Sequence, residues 1–293
     1  MITTTTEVTT PDGRTLTVAS AGDPAGQPVF KLHGTPGSRV LDETSRRDAE
    51  ERGIRLITYD RPGYGGSTPL PGRTVADGAA DVRAIAEALG LERIGVWGIS
   101  GGGPHALACA ALLPDLAVAV ASLASSAPFG VDGLDYFAGM GERNVEDIQL
   151  YLDDPAAARA KSRTDREEML DARPDELFEL LTSLLSPVDA AVFTAATAEF
   201  LCASYAVGLA PGDEGWWDDG VAEMAPWGFD LGDVRAPLQL WHGRHDQFVP
   251  FGHGVWLAEH IPGVDARLTD VDGHLTLGVN RVPEVHAWML QHF

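Results

Sequence analysis

Ser100 stands in the run Gly98-Ile99-Ser100-Gly101-Gly102-Gly103-Pro104, and the residue types and their order point to a nucleophile. Residues 94–99 are apolar and β-prone and stop at the serine. A helix-compatible stretch, 104–113, follows. Strand, very tight turn and helix is the context in which G-x-S-x-G lifts a hydroxyl clear of a sheet. Strand and helix backbones pass closely at such a turn, so its flanks must lack bulk, and Gly98 and Gly102 meet that need. The hydroxyl would then sit at a helix N-terminus, where backbone N–H groups and the helix dipole favour an oxyanion. A phosphate-binding loop is the competing reading. It requires G-x-G-x-x-G or a lysine after the glycines, and neither is present.

A serine hydroxyl attacks at neutral pH only when a hydrogen-bonded base takes its proton, usually a histidine oriented by a carboxylate. Nine histidines are available, and His274 is the best placed. It follows a short strand-like run, 266–269, in Asp270-Val271-Asp272-Gly273-His274, and loops leaving the C-terminal edge of an open α/β sheet are where chemistry collects. Asp246 follows another strand-like run, 238–241, in the same way. The chain order Ser100, Asp246, His274 differs from the chymotrypsin and subtilisin orders and is that of α/β-hydrolases. Asp270 and Asp272 are nearer to His274 in sequence, but they share its tight turn and are poorly placed to reach Nδ1. His242 and His245 form H-x-x-H across a glycine in a strand-exit loop. Metal-binding pairs on a helix use i, i+4, so no metal is expected here.

The elements that must position these groups alternate. A hairpin around Pro11-Asp12-Gly13 spans 7–21, and short strands are expected at 29–32, 55–59, 94–99 and 117–123. Helices are expected at 42–52, from Thr74 with an Asp77 capping box to Gly90, and at 283–293. Strand alternating with helix implies a mostly parallel twisted sheet with helices on both sides. The interval between Ser126 and Asp233 breaks the alternation, since a crossover helix needs only about a dozen residues. We expect an α/β core at 1–127 and 233–293 with a helical lid, 128–232, inserted between strands ending near Leu123 and beginning near Leu238. Lid helices are expected at 142–152, 165–171, 174–185 and 188–206, and a mobile loop at 211–220. Among the lid's large apolar residues, Phe129, Phe137, Met140, Trp217 and Trp227 are the candidates for binding the apolar portion of a substrate.

Five elements in order, each closing a strand-like run, resemble the α/β-hydrolase superfamily over nearly the whole chain apart from its middle. They are Lys31-Leu32-His33-Gly34-Thr35-Pro36-Gly37, Tyr59-Asp60-Arg61-Pro62-Gly63-Tyr64-Gly65-Gly66-Ser67, the turn at Ser100, the Asp246 loop and the His274 loop. The resemblance implies an oxyanion hole built from the backbone N–H groups of Gly101 and Thr35, a structural His33, and Asp246 as the acid, with Val249-Pro250 after it. Some members of the superfamily take the acid from the end of the preceding strand, here 125–132. The H-G-x-P turn is shared with epoxide hydrolases and haloalkane dehalogenases, but those attack with an aspartate where this chain has Ser100.

Composition sets outer limits. Forty-three acidic against 21 basic residues leave a net charge of −22, which disfavours nucleic acid and anionic lipid as partners. No basic, then apolar, start precedes Asp12 and no apolar run is long enough to cross a bilayer, so a cytoplasmic protein that does not bind membranes is expected. Cys109 and Cys202 carry no metal-ligand spacing and are expected as free thiols. The expectation is a cofactor-independent serine hydrolase, a monomer or homodimer, that cleaves a carboxylic ester or lactone through an acyl-enzyme. The rivals are a thioester, amide (iminopeptidase-like) or C–C hydrolase, a perhydrolase, and a catalytically silent receptor on the same fold.

Overall fold

The computed structural model describes residues 3–293. It opens with the antiparallel hairpin β1 (Thr4–Thr9) and β2 (Thr15–Gly22), turned at Gly13, whose φ of 86° suits glycine. There follow β3 (Gln27–Leu32), α1 (Glu43–Glu51), β4 (Ile54–Tyr59), α2 (Asp77–Ala88), β5 (Ile94–Ile99), α3 (Gly102–Leu112) and β6 (Ala117–Leu123). Six α-helices come next: α4 (Glu142–Asp153), α5 (Pro155–Asp171), α6 (Pro174–Leu181), α7 (Pro187–Val192), α8 (Ala195–Gly208) and α9 (Glu214–Met224). The chain then returns to the sheet with β7 (Leu238–Gly243), α10 (Phe251–His260), β8 (Asp265–Thr269), α11 (His274–Asn280) and α12 (Val282–Met289).

The eight strands lie in the order β1-β2-β4-β3-β5-β6-β7-β8. Only the pairings of β2 with β1 and with β4 are antiparallel. From β4 to β8 every pairing is parallel, so those strands all release their exit loops at one edge. Period-two alternation sorts each strand onto two faces. Phe30, Ile57, Val96, Val120 and Leu240 pack with Val82 and Ile85 of α2, Leu107 of α3 and Leu257 of α10. Their chain neighbours Val29, Leu56, Trp97, Ala121 and Trp241 pack on the other face with Ala49 of α1, Leu277 of α11, and Val285 and Met289 of α12. Both faces are covered, which is why these strands read as nearly continuous apolar runs. Among the described residues, no helix is long and apolar enough to cross a membrane.

The helices between β6 and β7 have an apolar cluster of their own, built from Met169, Leu177, Leu181, Tyr205 and Leu209 around Tyr64 of the β4 exit turn. Three expectations fail in this segment. Helix α5 begins ten residues before the expected 165, because Asp154 accepts the N–H of Ala157 at 3.0 Å and Pro155 fits the first helical turn. The stretch 188–206 is two helices, α7 and α8, with Thr194 capping the second through the N–H of Thr197. The expected mobile loop at 211–220 instead runs into α9. Its glycines and aspartates are poor helix formers, and packing overrides them. Gly215 lies against the Gly63-Tyr64 turn so closely that a Cβ there would fall 2.7 Å from the carbonyl carbon of Gly63. Asp219 is drawn into a buried ion-pair network.

Candidate active site

Ser100 ends β5 with φ of 55°, a left-handed conformation that costs a non-glycine residue about 1–3 kcal/mol. The surroundings hold it there. Its N–H donates to the carbonyl of Leu123 at 2.9 Å, and its own carbonyl accepts from Gly103 at 2.7 Å. A Cβ on Gly98 would overlap the Gly102 carbonyl, and one on Gly102 would fall 2.6 Å from the carbonyl oxygen of His33. The first glycine lets helix α3 close on its own strand, and the second lets that helix reach the β3 exit turn.

His274 and Asp246 meet at the same sheet edge. The His274 Nδ1 to Asp246 Oδ2 distance is 2.8 Å, and both side chains are buried. The other Asp246 oxygen accepts the N–H groups of Phe248 and Val249 at 2.9 and 2.8 Å, so the carboxylate is fixed from both sides. An imidazole that donates from Nδ1 to a carboxylate presents Nε2 as an acceptor, the form a general base needs. Phe248 stacks on the His274 ring, with centroids 4.6 Å apart. Burial works against the charged imidazole, but the charge of Asp246 and its hydrogen bond outweigh it, and Asp189 adds to them. The pKa of His274 is raised above the ordinary histidine value. The rival carboxylates have other partners. Asp272 accepts from Thr269 and Arg281, and Asp270 pairs with Arg244. His242 and His245 bond separately, to the carbonyls of Val249 and Asp270.

The β3 exit turn lies beside the serine. A Cβ on Gly34 would sit 3.4 Å from that of Ser100, and one on Gly101 would sit 2.7 Å from that of Thr35. The two backbone N–H groups expected as oxyanion donors, those of Thr35 and Gly101, have no acceptor among the described residues. The Thr35 side chain is engaged. Its hydroxyl donates to Asp219 Oδ2 at 2.9 Å and accepts from Arg61 Nη2 at 2.9 Å. Arg61 also binds the carbonyls of His33 and Gly34, and it pairs with Asp219 at 2.6 Å. Arg73 and Tyr64 complete the cage around Asp219 at 2.8 and 2.9 Å. Burial alone would raise the Asp219 carboxyl, but the Arg61 and Arg73 guanidiniums hold it well below the usual carboxylate range. His33 has a structural place: its Nε2 accepts the N–H of Arg61 and its Nδ1 lies 2.7 Å from the Gly34 carbonyl oxygen.

A cavity of about 330 Å³ opens at Thr35, Ser100 and Gly101 and runs under the helices between β6 and β7. Of the five residues expected to bind substrate, Met140 and Trp217 line it. Phe129 and Phe137 do not; they pack edge-on against Tyr136, which does. Trp227 is a core residue, stacked on Phe229, and its indole N–H donates to the Glu223 carbonyl. Its aromatic bulk is used to seat α9. Polar groups also reach the wall: Asp147, Lys161 and Asp165 form an ion-paired cluster, with Lys161 Nζ 2.9 and 2.6 Å from the two carboxylates. Glu223, which sequence reasoning passed over, lies closest to the serine turn. A Cβ on Gly101 would come within 2.8 Å of its Oε1, and its Oε2 accepts from the Ser126 hydroxyl at 3.2 Å. Burial, and then the charge of Asp219, push its carboxyl up to about 7.

A serine at a strained turn, a buried imidazole fixed by a carboxylate and unengaged backbone N–H groups are the kinds of group that acyl transfer uses. A family model described as "alpha/beta hydrolase fold" matches residues 27–280. The chain belongs to this family. Proteins similar to it span several reactions. Proline iminopeptidase of Xylella fastidiosa (strain 9a5c) is 38% identical over 107 residues, 36% of this chain and 34% of that protein. The match therefore spans about a third of that relative's length. The bifunctional esterase/perhydrolase DCH of Acinetobacter calcoaceticus is 25% identical over 83% of each chain. The solved α/β-hydrolase fold protein from Nakamurella multipartita covers 99% of each chain with a TM-score of 0.64 and 26% identity.

Proposed function

We propose that this α/β-hydrolase cleaves a carboxylic ester or lactone through an acyl-enzyme. The observation that carries the reading is the bond between His274 Nδ1 and Asp246 at the sheet edge where Ser100 is strained into view of the cavity. Ser100 Oγ attacks the carbonyl while His274 Nε2 takes its proton, and Asp246 keeps the imidazole in the right tautomer and supports the imidazolium. The N–H groups of Gly101 and Thr35 receive the oxyanion. His274 returns its proton to the leaving alcohol and then activates water for deacylation. These steps need neither metal nor organic cofactor. The helices between β6 and β7 act as the lid, and Met140, Tyr136 and Trp217 contact an apolar portion of a small-molecule substrate. We place the enzyme in the cytoplasm as a monomer or homodimer, without nucleic-acid or membrane partners.

Glu223 favours a second reading. A carboxylate beside the serine turn could receive a substrate amine, which would make the enzyme an amide hydrolase like the iminopeptidase it partly matches. A turnover panel of aryl esters, lactones, thioesters and aminoacyl arylamides, run with a fluorophosphonate probe, tests both. Ester or lactone turnover is expected to dominate, with the probe on Ser100 alone. Dominant arylamide turnover selects the second reading. Labelling that survives in Ser100→Ala removes both.

A further inference from the structure

The helical segment grips the histidine turn at a point unrelated to the ring. Asp189 of α7 is fully buried, and one of its oxygens, Oδ2, accepts the N–H of His274 at 2.9 Å and the hydroxyl of Ser186 at 2.8 Å. Its Oδ1 accepts the N–H groups of Leu275 and Thr276 at 2.8 and 3.1 Å. These are the opening N–H groups of α11, which have no acceptor within their own helix. Such groups are normally satisfied locally, by a side chain at the residue before the helix. Here that residue is Gly273, which has no side chain to offer. Its bareness is needed, because a Cβ on it would fall 2.7 Å from Asp189 Cγ. The chain leaves the local cap empty and admits a carboxylate from 85–87 residues away.

We infer that Asp189 is a positioning residue for His274, one that fixes the histidine's backbone only when the helical segment is seated on the sheet. Asp246 and Asp189 then divide the task. Asp246 orients the ring, and Asp189 sets where its Cα stands. A base displaced by about 1 Å can lose roughly 10²-fold in rate, so seating the helices and readying the base become one event. The inference rests on the proposed role of His274 as base. The charged or titratable groups facing His274 are Asp246, Asp189 and His242, whose own pKa burial lowers. Asp272 lies on the same turn but is paired with Arg281.

The test is Asp189→Asn in the full chain, with Asp189→Ser as a smaller charge-free variant should the first not fold. Four quantities are read: kcat and KM on an aryl ester, the His274 titration midpoint by NMR of labelled histidine, and Tm. A positioning role predicts kcat lower by about 10²-fold with KM little changed. It also predicts a His274 midpoint below that of the wild type, because a nearby negative charge has gone. A kcat within about twofold of the wild type, whatever Tm and the midpoint do, overturns the inference and leaves Asp189 a simple cap. The NMR midpoint is read without turnover. If Ser100→Ala keeps full activity, the hydrolase reading fails while the Asp189 coupling is still measured.

Discussion

The turn at Ser100 and the helix α9 that overhangs it border one cavity, yet they are held in opposite ways. The turn is shaped by glycines within three residues of the serine, and its strained conformation is held by bonds to Leu123 and Gly103. Helix α9 is held through Asp219 by Arg61, Arg73 and Thr35, partners 146 to 184 residues away in the chain. Histidine α11 is intermediate: its ring is fixed from the preceding strand exit, 28 residues back, and its backbone from α7. The core thus carries Ser100, Asp246 and His274, the groups proposed to react, and the helices between β6 and β7 supply buried carboxylates that clamp the turns beside them. Asp219 clamps the oxyanion turn and Asp189 the histidine turn. A buried carboxylate can do this because leaving several buried donors unpaired costs about 1–3 kcal/mol each.

Three experiments sharpen or break this comparison, from the largest expected effect to the smallest. Asp246→Asn should leave the fold intact and lower kcat by up to about 10⁴-fold, since an amide no longer enforces the right tautomer. The acid limb of kcat/KM should lie above the ordinary imidazole range in the wild type and move to lower pH in the variant, because Asp246 is what raises the His274 pKa. A nearly silent Asp246→Asn would hand the orienting task to another group.

Asp219→Asn should act through the clamp. Removing one partner of a buried pair costs about 3–5 kcal/mol, which for a chain of this size is roughly 5–8 °C in Tm. Its carboxyl is depressed in the folded state, so the stability it contributes is present above the unfolded carboxylate value and lost only as pH falls through the still lower folded one. The deficit in Tm should therefore persist from pH 5 to 8, narrowing toward pH 8, because Glu223 ionises there at less cost once the Asp219 charge is gone. A variant as stable as the wild type would mean that α9 is held by apolar packing alone.

The smallest effect separates the Thr35 backbone from its side chain. Thr35→Ser keeps the hydroxyl and should retain most activity. Thr35→Val removes the link to Asp219 and Arg61 and should lower kcat by about tenfold, less than the roughly 10²–10³ that loss of an oxyanion donor costs. Equal activity of the two would show that the hydroxyl has no part in holding the turn.

The parallel sheet, its two covered faces and the serine turn were legible in the sequence because their signals are local. Nearly continuous apolar runs of about six residues, glycines at fixed offsets from Ser100 and the strand-then-loop setting of Asp246 and His274 can each be read within a short window. The same setting explains why Asp246 could be singled out over Asp270 and Asp272: parallel strands end at one edge, so adjacent exit loops meet. What the window cannot contain is a partner far along the chain. Read with their immediate neighbours alone, Asp189 and Asp219 look like ordinary solvated acids, and Trp227 looks like a lid aromatic facing substrate. Helix α9 was mistaken for a loop since its glycines and aspartates disfavour helix on their own. Only when the helices between β6 and β7 pack on the sheet do Arg61 and Arg73 find Asp219, the bare Gly273 admit Asp189, and Glu223 come to rest over Gly101. Local propensity and periodicity determined the scaffold and the reacting groups. Burial of charge against distant partners, a property of the packed chain alone, decided how those groups are held.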